Sequence, residues 1–203
     1  MHENCVQLFN QYAITHFSKD KSVLEIGPEF VPSTYCSLVG KAAKSWDYVD
    51  LKDRPGITYR ATGEYSFPID DNKYDIVISA NVLEHVRKIW TWTRELTRVC
   101  RPGGLVITVN PVSWPFHESP YDCWRVYPDG MRALYEDSGL EVLTSVFESL
   151  EDPGRKRYIP GRSKADRLED IGWKGRLIDP FLRLLGVPTE RSYDTITIGK
   201  KTD

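Results

Sequence analysis

The segment Ser22-Val-Leu-Glu-Ile-Gly-Pro28 constrains the fold more than any other stretch of these 203 residues. An apolar strand that runs into an acid and a glycine turn is how many nucleotide-binding sheets begin, because glycine lets the backbone come close to a ligand at the strand's carboxyl end. A second short run, Trp46-Asp-Tyr-Val-Asp50-Leu51, again ends in a carboxylate, 23 residues after Gly27. That is close to the roughly 20-residue spacing at which the second strand of a dinucleotide-binding fold offers an acid to ribose hydroxyls. The phosphate half of such a site does not follow. A pyrophosphate cradle needs G-x-G-x-x-G, whereas Gly27 is followed by Pro28-Glu-Phe-Val-Pro32. Proline has no N–H to donate, and a carboxylate at Glu29 repels phosphate. The pattern points to a nucleoside ligand without phosphates.

Periodicity extends the fold. Val6, Phe9, Ala13 and Phe17 recur at helical spacing and predict an amphipathic helix over residues 1–18, packed on a sheet or laid over a ligand site. Strands are expected at 23–26, 48–51, weakly at 57–60, then around the unalternating run Ile76-Val-Ile78, at 105–109, 140–147 and 192–198. Runs of this kind belong to strands covered on both faces. Helices are expected at 33–39, from Val82 to the Arg101-Pro-Gly-Gly104 stop, and from Pro128 to Tyr135. Strands separated by helices predict an α/β, doubly wound, Rossmann-like sheet of seven mostly parallel strands with helices on both faces. Gly27, Asp50, Asn81 and Pro111 all fall at strand ends that face one cleft. The chain reads as one domain, 1–203, with an insertion at about 151–191 between the sixth and seventh strands. That insertion is long enough to suggest a functional or irregular segment. Its basic stretch from Arg155 to Lys164 suits either a phosphorylated substrate or a solvated lid, and residues 177–185 are apolar enough for a docked helix.

Composition excludes several classes. Twenty-seven Lys and Arg against 29 Asp and Glu give a net charge of −2, so a dominant nucleic-acid footprint is not expected. Cys5, Cys36, Cys100 and Cys123 are scattered, without a C-x-x-C pair or a histidine at ligand spacing, so neither a metal site nor a disulfide framework is indicated. No apolar run approaches the roughly 20 residues of a membrane span, and no signal-peptide core opens the chain. A cytoplasmic protein is the expectation.

Taken in order, Val23-Leu-Glu-Ile-Gly27, Tyr48-Val-Asp50, Phe67-Pro-Ile-Asp-Asp-Asn-Lys-Tyr-Asp-Ile-Val-Ile-Ser-Ala-Asn-Val-Leu-Glu-His-Val86 and Leu96-Thr-Arg-Val-Cys-Arg-Pro-Gly-Gly-Leu-Val-Ile-Thr-Val109 resemble the class I methyltransferases that use S-adenosylmethionine (SAM), especially those with an E-H-V tripeptide after the fourth strand. SAM is a nucleoside whose phosphates are replaced by a sulfonium and a zwitterionic amino acid, as the first strand asks. The resemblance implies that Gly27, Pro28 and the turn shaped by Glu25 meet the methionine moiety. It further implies that Asp50 accepts from the ribose hydroxyls, Leu51 lies on adenine, Gly63, Glu64 and Tyr65 read the adenine edge, and Ala80 and Asn81 approach the methionine amino group. Glu29 and Val31 stand where the family has its second and third glycines, and Gly63 where it commonly has Asp.

Acceptor chemistry is expected after the fifth strand, where the residues from Pro111 to Arg125 bring together aromatics, a histidine, carboxylates and an arginine. His117 reads as a general base or as a capping loop histidine. His85 is a ligand-side contact or a structural residue. Tyr121, Trp124 and Arg125 suit a sugar or an anionic small molecule, though Trp124 would equally anchor the loop. This block resembles methyltransferases of bacterial surface-glycan or other saccharide pathways, which implies a sugar or sugar nucleotide methylated on oxygen. N- or C-methylation of another small molecule, a non-catalytic SAM- or partner-binding module, and an NAD-dependent reductase are the rival readings. Composition leaves the oligomeric state open.

Overall fold

The structure is a computed structural model and describes residues 3–118, 120–151, 156–158, 168–170, 177, 184 and 192–203. Its strands are β1 (Ser22–Ile26), β2 (Ser45–Asp50), β3 (Tyr59–Arg60), β4 (Tyr74–Ala80), β5 (Cys100–Pro111), β6 (Leu140–Glu148), β7 (Lys156–Tyr158), β8 (Leu168–Asp170) and β9 (Asp194–Lys201). Helices are α1 (Glu3–Leu8), α2 (Thr34–Val39), α3 (Ile89–Val99) and α4 (Pro128–Asp137).

Seven strands form the main sheet in the order β3-β2-β1-β4-β5-β9-β6. β1 to β5 pair in parallel, and β9 runs antiparallel between β5 and β6. The doubly wound α/β expectation holds. Each β1 or β4 side chain alternates between two apolar layers, which is why these strands read as unbroken hydrophobic runs. Leu24, Ile26, Val49, Val77 and Val106 pack under Ile89, Trp92, Leu96 and Val99 of α3 and Met131 and Tyr135 of α4. On the other face Val23, Ile76, Ile78, Ile107, Ile196 and Ile198 meet Cys5, Leu8, Phe9 and Ala13 of the N-terminal segment and Tyr35 and Val39 of α2.

The strand order reverses between β1 and β4, because β1 leads outward to β2 while β4 leads back to β5. Where neighbouring strands send their connections to opposite sides, a crevice opens beyond their carboxyl ends. The Gly27 turn and Asn81 flank that crevice.

Three elements differ from expectation. The first 18 residues are not one helix: α1 is followed by a π-helical turn at Phe9–Ala13 and a 3-10 turn at Ile14–His16. The segment is nonetheless anchored, since Asn4 donates to Glu148 O at 3.0 Å and to Asp194 Oδ2 at 2.8 Å and accepts from Leu150 N at 2.8 Å. The helix predicted from Val82 is a 3-10 turn at Leu83–His85 followed by the separate α3. β5 extends back through Arg101-Pro-Gly-Gly104, which was expected to be a helix stop alone. Within the predicted insertion, β7 and β8 pair antiparallel. Most of 151–191, including most of the basic stretch and of the predicted 177–185 helix, lies outside the described residues. Among the described residues no helix is long and apolar enough to cross a membrane.

Candidate active site

The crevice is a cavity of about 980 Å³. The turn after β1 forms its floor. Gly27 has φ +61°, and a Cβ there would come within 2.8 Å of Val82 Cγ2, so the backbone conformation and the close approach both require glycine. Glu25 is buried behind the turn. Its carboxylate accepts from Ser33 Oγ at 2.5 Å and Trp46 Nε1 at 2.9 Å, while Ser33 Oγ itself accepts from Cys36 N at 3.0 Å as the N-cap of α2. Burial pushes the Glu25 carboxyl up to about 7, against the pull of its two donors. Glu25 therefore ties strand, turn and helix together from beneath.

Asp50 ends β2 on the cavity wall, with Leu51 beside it, 52% exposed. Lys52 N donates to Asp50 Oδ1 at 2.9 Å and Arg54 Nη2 to Oδ2 at 2.5 Å. Arg54 also donates to the carbonyls of Pro28 and, at 2.7 Å, Glu29. One guanidinium thus bridges the β1 turn to the β2 acid. The sequence reading missed Arg54, although its position four residues after Asp50 was a usable signal. Glu29 is exposed at the cavity rim and offers its backbone to that bridge.

Pro28, Gly63, Glu64, Ala80 and Asn81 also line the cavity. Asn81 has a left-handed backbone (φ 54°) and accepts from Cys5 Sγ at 3.4 Å, which aims its side chain back toward the N-terminal segment. Glu64 pairs with Arg87 at 2.8 Å. Burial would raise the Glu64 carboxyl, but Tyr65 and Arg87 outweigh it and hold the group below its ordinary value. Tyr65 does not reach the cavity wall: its ring packs on the apolar layer and its hydroxyl accepts from Lys88 N at 3.2 Å.

The acceptor-side residues divide in the same way. His85, His117 and Tyr121 line the cavity. Trp124 and Arg125 do not. Trp124 donates from Nε1 to Val86 O at 2.9 Å, and Arg125 grips Asp122 with two contacts of 2.5 and 2.7 Å while donating to Trp114 O at 3.3 Å. Trp124 is thus tied to the connection after β4 and Arg125 to its own loop, and both anchor the loop from outside the cavity lining.

His85 and His117 meet edge to face, ring centroids 5.0 Å apart. His85 Nδ1 lies 2.5 Å from Tyr121 O and His117 Nδ1 3.2 Å from Pro115 O. A carbonyl only accepts, so each ring carries a proton on Nδ1, and in the neutral tautomer Nε2 is the nitrogen with the lone pair. Asp122, its side chain 1% exposed, accepts from His117 N at 2.8 Å and stands 3.4 Å from His117 Nδ1. Burial would raise the Asp122 carboxyl, but Arg125 and His117 pull it below its usual range. Desolvation dominates at His117 and lowers its imidazole, favouring the neutral ring. Beside them Glu84 is 1% exposed, and burial pushes its carboxyl up to about 8. Glu84 and Asp122 went unread as site residues, although Glu84 stands next to His85 and Asp122 three residues before Arg125.

A family model described as a methyltransferase domain matches residues 36–108. An uncharacterized methyltransferase of Mycobacterium bovis is 46% identical over 54 residues, which cover 27% of this chain and 21% of that protein. The match thus spans about a fifth of that relative's length. Among solved structures, a SAM-dependent methyltransferase from Methanosarcina mazei superposes with TM-score 0.60 at 13% identity, covering 94% of this chain and 98% of the other. Haemonchus contortus phosphoethanolamine N-methyltransferase 2 in complex with SAM superposes with TM-score 0.58 at 12% identity, covering 98% and 52%. At these identities the solved structures speak for the fold.

Proposed function

We propose that this chain, which belongs to the class I SAM-dependent methyltransferases, moves the methyl group of SAM to an oxygen of a small polar acceptor, with a sugar or sugar nucleotide as the acceptor class. The observation that carries the reading is that Gly27, Asp50 and Asn81 at three strand ends share one cavity with His85 and His117.

The residues present fit the cofactor. A cavity of about 980 Å³ is at the upper end of the range, roughly 300–1,000 Å³, that holds small ligands. Its floor offers a glycine turn without a phosphate cradle. When bound, SAM supplies a methyl carbon activated by a sulfonium leaving group. Asp50 would accept from the ribose hydroxyls, sharing or regaining Oδ2 from Arg54. Leu51 would cover one adenine face, Gly63 and Glu64 would border its edge, and the Gly27-Pro28 backbone with Ala80 and Asn81 would hold the amino-acid end. His117 would take the acceptor's hydroxyl proton at Nε2, since Pro115 holds the proton on Nδ1. Asp122 fixes that ring, and alignment of the acceptor with the methyl carbon contributes several kcal/mol on its own.

Incubation with SAM carrying a labelled methyl group and a panel of sugars and nucleotide sugars tests the reading. A labelled O-methyl product is expected; label on nitrogen or carbon would move the acceptor atom and overturn the oxygen assignment. His117→Ala should lower turnover by roughly a hundredfold or more while S-adenosylhomocysteine binds nearly as before. Undiminished turnover would remove His117 from the mechanism.

A further inference from the structure

We propose that Glu84, His85 and His117 form a binding site for a divalent first-row transition-metal ion, with Glu84 behind the two histidines that line the cavity. One donor atom from each of the three lies within 4.8 Å of the others, and His85 Nε2 stands 3.8 Å from Glu84 Oε1. Three further observations make this more than a chance cluster.

The first is the protonation pattern. Both rings spend Nδ1 on a backbone carbonyl, at Tyr121 and Pro115, so the nitrogens left with lone pairs are those a metal would use. The second is an outer carboxylate. Asp122 lies 3.4 Å from His117 Nδ1 and is itself clamped by Arg125, the arrangement that orients metal-bound imidazoles and raises their basicity. The third is Glu84 itself. Its side chain is buried and its Oε2 meets no hydrogen-bond partner, an unsatisfied polar atom to which a bound cation would give one.

Two imidazole nitrogens and one carboxylate oxygen suit zinc, manganese, iron or cobalt, and are too nitrogen-rich for calcium or magnesium. Three protein ligands leave coordination positions open, here toward the cavity that His85 and His117 line. Water or an acceptor oxygen would fill them. This last step rests on the methyl-transfer reading and would change His117 from proton acceptor to ligand. The site itself does not depend on that reading.

Cobalt(II) is the probe. Chelator-stripped protein titrated with cobalt(II) should develop visible ligand-field bands that saturate at one ion per chain and are reversed by zinc. Glu84→Gln, close to isosteric, and His85→Ala should each abolish saturation, and Asp122→Asn should weaken binding by roughly tenfold or more. Each variant's fold is verified by circular dichroism, and S-adenosylhomocysteine binding is measured separately. Metal binding without nucleoside binding would sink the methyl-transfer reading and leave the metal site standing. An intense near-ultraviolet thiolate band would place the ion on a cysteine and overturn the proposal. So would cobalt(II) saturation unaltered in folded Glu84→Gln and His85→Ala, or no saturable binding by the wild type.

Discussion

Glu25 carries a consequence that stability measurements can read. Its carboxyl is pushed by burial from 4.5 to about 7, so between those values the folded chain holds a proton that the unfolded chain has lost. Stability then falls as pH rises through that window: the contribution is complete below the unfolded value and spent above the folded one. A shift of this size corresponds to about 3 kcal/mol. Denaturant midpoints at pH 5 and pH 8 should therefore differ less for Glu25→Gln than for the wild type. An identical pH slope in the two proteins would show that Glu25 does not titrate in the fold.

At the scale of elements, the irregular segment between β5 and α4 is held by specific contacts. Arg125 spans Asp122 and the Trp114 carbonyl, Trp124 donates to Val86 O, and Cys123 N donates to Glu84 O at 2.6 Å. The loop is thereby fastened to the Leu83–His85 turn, which is how two histidines from separate connections come to face each other. Arg125→Ala leaves the Asp122 carboxylate, 1% exposed, without its charge partner. The expected loss is about 3 kcal/mol, and Asp122→Asn added to it should recover part of that by removing the stranded charge. Chemical denaturation of the two single variants and the double one measures this. Strict additivity would mean that the pair is not coupled.

The same elements show what could be read in advance. The parallel strands were legible because both faces of each are covered, which leaves Val23-Leu24 and Ile76-Val-Ile78 without alternation. The break between the Leu83–His85 turn and α3 was not. Val82, Val86 and Ile89 keep near-helical spacing, yet a 3-10 turn and an extended Val86 interrupt the helix, and Trp124 from the distant loop takes up the Val86 carbonyl. The roles of Trp124 and Arg125 were hidden for a similar reason. An aromatic and a guanidinium suit a substrate as well as they suit a backbone, and only the fold decides which they meet. The Glu84, His85 and His117 cluster joins two connections 32 residues apart in sequence, so no ligand spacing within one segment marks it.

Over the whole molecule, function follows from where the strand order reverses. β1 and β4 lie side by side, their connections leave in opposite directions, and the crevice between them receives the Gly27 turn from one and Asn81 from the other. Asp50 arrives from the next strand outward, and His85 and His117 line the same cavity. On the proposed reading Asp50 is the residue on which nucleoside recognition turns, and binding of S-adenosylhomocysteine, the demethylated form of SAM, tests it without any knowledge of the acceptor. Calorimetric titration of the wild type should give saturable one-to-one binding, and Asp50→Ala should weaken it by roughly tenfold or more, since hydrogen bonds to a charged group contribute about 1.5–3 kcal/mol. Absence of binding by the wild type at millimolar ligand, or equal affinity of the two proteins, would contradict the account.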